Sequence, residues 1–192
     1  MKFIARNMVG ALQICLFRQS GFEKFNGSKK EFIFSFLILF LSVGLLASLN
    51  SLILKHGLFS LENLLRISIL IIANGLFLQF SYSTAKGKNC LKNFKKFVSI
   101  YNTMSLFLAI CMIFNVFIMV WFAFDVLKGY PIWIYIICMI PFITLPFVYL
   151  AFIAKNSLGI TWKDGASLAF TYWIILGSST QVADWLIKYF LK

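Results

Sequence analysis

Five stretches of the chain carry no charged side chain: 32–54, 67–85, 97–124, 129–154 and 165–183. A hydrocarbon core about 30 Å thick takes about 20 apolar residues at 1.5 Å each, so each stretch is long enough to cross it. With no water inside a bilayer to satisfy the backbone, such stretches must be helical, because barrel strands are about half as long and alternate in polarity. The pattern predicts an all-α fold, a polytopic membrane bundle of five transmembrane helices. The 67–85 stretch is interrupted by Asn74 and Gln79, and 97–124 exceeds one perpendicular crossing.

Three flanking segments have amphipathic spacing and predict interfacial helices. In residues 1–31, a cytoplasmic helix and linker, Ile4, Met8, Ala11, Leu12 and Cys15 share one face, opposite Lys2, Arg6 and Gln13. Gly21 and the run Phe25 to Ser28 break this helix before the first span. The apolar run 9–17 is short, is interrupted by Gln13 and lacks a small-residue cleavage site, which argues against a secretory signal. Before the third span, Lys88, Lys92, Lys95 and Lys96 recur at helical spacing, with Leu91, Phe94, Val98 and Tyr101 on the other face. Such a helix would rest on anionic head groups and then tip into the membrane. In the tail, 184–192, Val182, Trp185, Leu186, Tyr189 and Phe190 form a stripe that continues the fifth span, with Asp184 and Lys188 spaced to pair.

Composition agrees with this organisation. Of the 192 residues, 61% are hydrophobic and 12% charged, with a mean hydropathy of +0.89, too apolar for a water-soluble domain of this size. The net charge of +12 would suggest nucleic acid in a soluble chain, but here its placement decides. Thirteen of the 18 Lys and Arg fall before the first span, between the second and third, and between the fourth and fifth; five fall on the other side. The positive-inside rule then puts the N-terminus in the cytoplasm and the C-terminus across the membrane. The expected partners are membrane lipids, with anionic head groups on the cytoplasmic side, and a protein partner or further copies; nucleic acid is not one.

Little in the chain suggests catalysis. Cys15, Cys90, Cys111 and Cys138 are scattered, His56 is the only histidine, and neither a metal site nor a cofactor motif is present. Asp125, Asp164 and Asp184 stand at span ends rather than within spans, unlike a proton relay. Pro141 and Pro146 lie inside the fourth span and predict a helix kink, with Thr144 placed to satisfy freed backbone. Asn74, Gln79, Asn115 and Gln181 are the intramembrane polar contacts: hydrogen-bonding glue between helices, or the lining of a polar pathway. Trp121, Tyr130, Trp133, Trp162 and Trp185 suit an interfacial girdle. Two functions follow: a non-enzymatic lipid-organising or accessory protein, or a small oligomeric transporter or channel for a neutral solute.

The opening A-L-Q-I-C-L-F-R-Q-S-G-F-E-K-F, the S-K-K-E-F-I-F-S-F that leads into the first span, the F-V-S-I-Y-N-T before the third and the F-I-A-K-N-S-L-G-I-T-W-K-D-G-A-S-L-A of the last loop carry a resemblance. The chain resembles bacterial membrane proteins of the Yip1-domain type, more narrowly inner-membrane proteins of alphaproteobacteria. The resemblance implies five spans, a cytoplasmic N-terminus and an inner-membrane location. Eukaryotic Yip1 proteins associate with small GTPases and curved membranes, but their D-L-Y-G-P-type signature does not occur here, and no functional residue is carried over.

Overall fold

The computed structural model describes residues 2–54, 60–121 and 132–190, with side chains at 3–49, 60–110, 140 and 144–190. Every element among them is helical, as the pattern predicts. Two short helices, α1 (Lys2–Cys15) and α2 (Ser20–Glu23), precede five long ones: α3 (Lys29–Leu54), α4 (Leu61–Gly87), α5 (Phe94–Trp121), α6 (Ile132–Ala154) and α7 (Trp162–Phe190). A 3₁₀ turn, Leu91–Asn93, leads into α5, and a π turn, Lys155–Gly159, follows α6.

Four of the long helices start earlier than the uncharged stretches, and polar residues cap three of them. Ser28, Ser60 and Thr161 accept from the backbone N–H groups of Glu31 (3.3 Å), Asn63 (3.2 Å) and Asp164 (3.2 Å). Each cap satisfies a donor that the first turn would otherwise leave open. By length and composition, two stretches among the described residues could cross a membrane, Lys29–Leu49 and Leu61–Gly87. The expected span at 165–183 is helical but falls short of that measure, because Ser178, Ser179, Thr180 and Gln181 dilute its apolar residues. α6 runs as one helix through Pro141 and Pro146, and the Thr144 hydroxyl donates to the Ile140 carbonyl at 2.9 Å. The Pro141 ring lies outside the described side chains.

The long helices close a ring. α3 packs against α4 and α5, α5 against α6, α6 against α7, and α7 back against α4. Their best-buried apolar side chains gather where α4 and α6 end and α3, α5 and α7 begin: Phe97, Met104, Ile153, Leu158 and Leu168 are almost wholly enclosed. At the α6–α7 crossing a Cβ on Gly165 would stand 2.7 Å from the Ala151 carbonyl oxygen, so only glycine permits this approach.

The first helix closes this end of the ring, and of its expected interfacial stripe only Ala11 is fully buried there. Asn7, Gly10, Ala11 and Ile14 are buried, whereas Leu12 and Val9 are exposed. Small size decides the orientation, since a Cβ on Gly21 of α2 would come within 2.6 Å of the Gly10 oxygen. α1 ends in a Schellman motif, with the N–H of Arg18 bonded to the Gln13 carbonyl at 2.9 Å and that of Phe17 to Ile14 at 2.8 Å. Phe17 takes the left-handed position of that motif, with φ 54°, and its ring stacks on Tyr149 at 4.5 Å. Tyr149 also donates its hydroxyl to the Cys15 carbonyl, which ties α1 to α6.

At the other terminus α7 continues unbroken to Phe190. Its inward positions are Ala183 and Ile187, while Val182, Trp185, Tyr189 and Phe190 face outward. The expected Asp184–Lys188 pair is replaced by a bond from Arg66 of α4 to Asp184 at 2.7 Å.

Candidate functional site

The basic end of the ring is built from chain reversals. α4 finishes at Gly87, and Asn89 takes a left-handed conformation, φ 55°. The N–H groups of Asn89 and Cys90 then close on the carbonyls of Lys86 (3.1 Å) and Ala85 (2.9 Å). This reversal corrects the expected single helical face of lysines. Lys88 belongs to the end of α4, Lys92 to the 3₁₀ turn, and Lys95 and Lys96 to the first turn of α5. Lys92 and Lys95 are exposed, as are Lys29 and Lys30 at the start of α3. Lys96 is half-buried beside Gly27, which itself has φ +63°. Val98 and Tyr101, expected on a lipid-facing side, are buried inside the ring, and Leu91 is exposed.

Lys88 binds Asp164 at 2.9 Å. The Thr161 hydroxyl donates to the same carboxylate at 2.8 Å while accepting from the Asp164 N–H, a reciprocal cap at the start of α7. The Lys88 ammonium first, and the Thr161 hydroxyl after it, hold the Asp164 carboxyl below its ordinary value of 3.8. Beside this pair Cys90 is buried, its thiol donating to the Ala85 carbonyl at 3.4 Å, and burial pushes the thiol up from its ordinary value. Lys155 lies 4.9 Å above the Trp162 ring, a cation–π contact on the same side.

A second charged contact escaped sequence reasoning. Glu31 is 3% exposed and bonds to Arg6 of α1, and it also accepts from the N–H groups of Asn26 and Gly27 at 3.0 Å each. The S-K-K-E spacing of Ser28 to Glu31 is that of a capping box, the signal that marks Glu31. Its carboxylate reaches past Ser28 to the two preceding amides and to Arg6, so one residue joins α1, the linker and α3.

The four intramembrane polar residues do not converge. Asn74 is buried and accepts from the Tyr101 hydroxyl at 2.5 Å, joining α4 to α5. Gln79 and Gln181 are exposed on outer faces, and Asn115 lies outside the described side chains. Asn102, wholly buried, donates to Ser35 of α3 at 2.9 Å. These bonds stitch neighbouring helices, and Phe77, Phe97, Tyr101 and Tyr172 fill the space around them. A groove of about 80 Å³ lies between α4 and α7, lined by Arg66, Ile69, Leu70, Ser179, Thr180 and Ala183. The Ser179 and Thr180 hydroxyls are already bonded to carbonyls of their own helix at 2.6 and 2.8 Å. Of the expected aromatic girdle, Trp162 and Trp185 are exposed at opposite ends of α7. Trp121, Tyr130 and Trp133, with His56, Asp125, Cys111 and Cys138, fall outside the described side chains.

Comparison with known proteins finds no matching family model, no similar curated protein and no similar solved structure.

Proposed function

We propose that this chain is a non-enzymatic integral membrane protein of Yip1-like layout. Its five long helices cross an inner membrane, with the N-terminus cytoplasmic and the C-terminus across the bilayer. It gathers anionic lipid at the cytoplasmic face and serves as an accessory or scaffold subunit.

The observation that carries this reading is the pair of ionic contacts at the two ends of α4 and α7, Lys88–Asp164 and Arg66–Asp184. Twenty residues separate Asp164 from Asp184, a rise of about 30 Å, the thickness of a hydrocarbon core. Between those levels α4 turns Ile71, Ile72, Leu76 and Phe80 outward, and α7 turns Phe170, Ile174 and Val182 outward. On α3 the stripe Ile33, Leu37, Phe40 and Leu41 is also exposed. In water these faces would be an aggregation hazard, whereas acyl chains solvate them. Trp162 and Trp185 stand where interfacial tryptophans belong.

The test is retention of anionic over zwitterionic lipid by detergent-solubilised protein, read by native mass spectrometry. Replacing Lys92, Lys95 and Lys96 by Gln leaves the Lys88–Asp164 pair intact. At about 1 kcal/mol per lysine near the surface, the variant is expected to lose tenfold or more of its preference for anionic lipid. An unchanged preference would reject the lipid role. A stoichiometric protein partner in the same spectrum would identify the complex in which the chain is an accessory subunit.

A further inference from the structure

The outer face of α4 carries a polar group at a depth where acyl chains cannot bond it. Ser68, Ile72, Gly75, Gln79, Tyr82 and Lys86 follow one another at alternating steps of four and three residues, and all six are exposed. That is the spacing of a heptad seam, turned away from the neighbouring α3 and α7. A Cβ added to Gly75 would meet nothing within 4 Å, so a second backbone could approach closely there. Gln79 lies one turn further along. It is nine residues before Lys88, and so about 13 Å inside the rim marked by the Lys88–Asp164 pair. Its backbone carbonyl accepts from the Ser83 hydroxyl at 3.1 Å, while its side-chain amide has no hydrogen bond to any described residue.

We propose that a second copy of this chain covers this face, two α4 helices packing in parallel with Gln79 bonded to Gln79 across the two-fold axis. The inference rests on the membrane reading above. Copies inserted in the same direction place equal residues at equal depth, so a two-fold axis along the membrane normal sets Gln79 opposite itself. A carboxamide both donates and accepts, and so is complementary to its own image. Small residues and a polar side chain are what membrane helix interfaces use, the small ones for close approach and the polar one for a hydrogen bond. Lys86 meets its copy near the head groups, where anionic phosphates screen the repulsion. The outer stripe of α3 has an equally open glycine, Gly44, but no carboxamide. α7 repeats the spacing with the open Gly177 and with Gln181, whose amide sits one turn from Asp184, within reach of the far rim, so depth sets Gln79 apart.

The test is disulfide crosslinking in native membranes between two differently tagged copies, with the four native cysteines replaced by serine. Ile72→Cys, Gly75→Cys and Gln79→Cys are expected to give a product carrying both tags. The exposed controls Leu37→Cys on α3 and Phe170→Cys on α7 are expected to give none. Gln79→Leu is expected to weaken self-association in bilayers by about 3- to 20-fold. Absence of a doubly tagged product from all three α4 positions, or an equal yield from the controls, would overturn the interface. A crosslink to a different protein would also overturn it, since the occupant would then not be a second copy. Alkaline extraction of the same membranes separates the two readings. Retention without crosslinking rejects the interface alone, whereas release from the membrane rejects both.

Discussion

Arg66 of α4 and Asp184 of α7 lie 2.7 Å apart, and the guanidinium is the more enclosed of the two. The pair joins helices that are remote in sequence and adjacent in the ring. Exposed pairs of this kind contribute about 0.2–1 kcal/mol, so Arg66→Gln is expected to lower the melting temperature of the solubilised protein only slightly. Reversing one charge, as in Asp184→Arg, sets two cations together and should cost more. The double variant Arg66→Asp with Asp184→Arg is expected to recover most of that loss. A double variant as unstable as the sum of its parts would mean that the two charges do not act on each other.

At the opposite end, the Lys88–Asp164 pair makes stability depend on acid. The Asp164 carboxyl is held below its ordinary value of 3.8, so the folded state binds its proton less readily than the unfolded chain does. Its contribution is present above pH 3.8 and disappears as the pH falls through the lower folded value. Melting temperatures between pH 7 and pH 3 are therefore expected to fall less for Asp164→Asn than for the unaltered protein. Identical profiles would remove Asp164 from the acid response.

Cys90 stands in a turn, where thiols are commonly reactive, yet it is buried and donates to the Ala85 carbonyl. Burial raises its proton affinity and lowers its thiolate fraction at neutral pH. A water-soluble thiol reagent at pH 7.5 is expected to label Cys90 at least about tenfold more slowly in the folded protein than after denaturation. Peptide mapping by mass spectrometry reads the site directly, and prompt labelling would show that the Schellman reversal around Asn89 opens readily.

The positions of the long helices were legible because a run without charge needs no knowledge of its neighbours. Their beginnings were not, because Ser28, Ser60 and Thr161 act from outside those runs. Faces were harder still. Asn74 and Gln79 are five residues apart, a turn of about 140° on a helix, so one enters the ring to meet Tyr101 and the other points away. Periodicity alone could not say which, since α4 has apolar residues on every side. In α1 the apolar stripe was visible, but the buried side is set by two glycines that let α2 cross it. The two ionic contacts between α4 and α7 and the Asn102–Ser35 bond between α5 and α3 depend on ring order, and no spacing along the chain encodes that order.

Gly165 tests the tightest contact between α6 and α7. A methyl group there would lie 2.7 Å from the Ala151 carbonyl oxygen, a backbone atom that cannot rotate aside. Gly165→Ala is expected to destabilise the bundle by about 1–3 kcal/mol, the usual cost of overpacking. Gly177, further along the same helix, has nothing within 4 Å of its would-be Cβ, and Gly177→Ala is expected to be neutral or slightly stabilising. Unfolding in graded denaturing detergent measures both, and equal effects would show that the helices separate at Gly165 without penalty.

The Arg6–Glu31 contact governs whether α1 stays closed on the ring. Glu31 is nearly inaccessible and is shared among Arg6, the Asn26 N–H and the Gly27 N–H, whereas Arg6 keeps part of its guanidinium in reach of water. Removing the cation leaves a buried carboxylate with two amide donors, so the cost falls below that of a fully orphaned charge, at about 2 kcal/mol. Arg6→Gln is therefore expected to release α1 locally rather than unfold the five long helices. Limited proteolysis should cut the variant between α1 and α3, around Arg18 to Lys30, faster than the unaltered protein and leave a fragment that begins near α3. Glu31→Gln keeps the side chain's shape and loses its charge, and should open the same segment less. If both variants resist cleavage as the parent does, the Tyr149 bond to the Cys15 carbonyl and the Gly10–Gly21 crossing hold α1 without the ion pair.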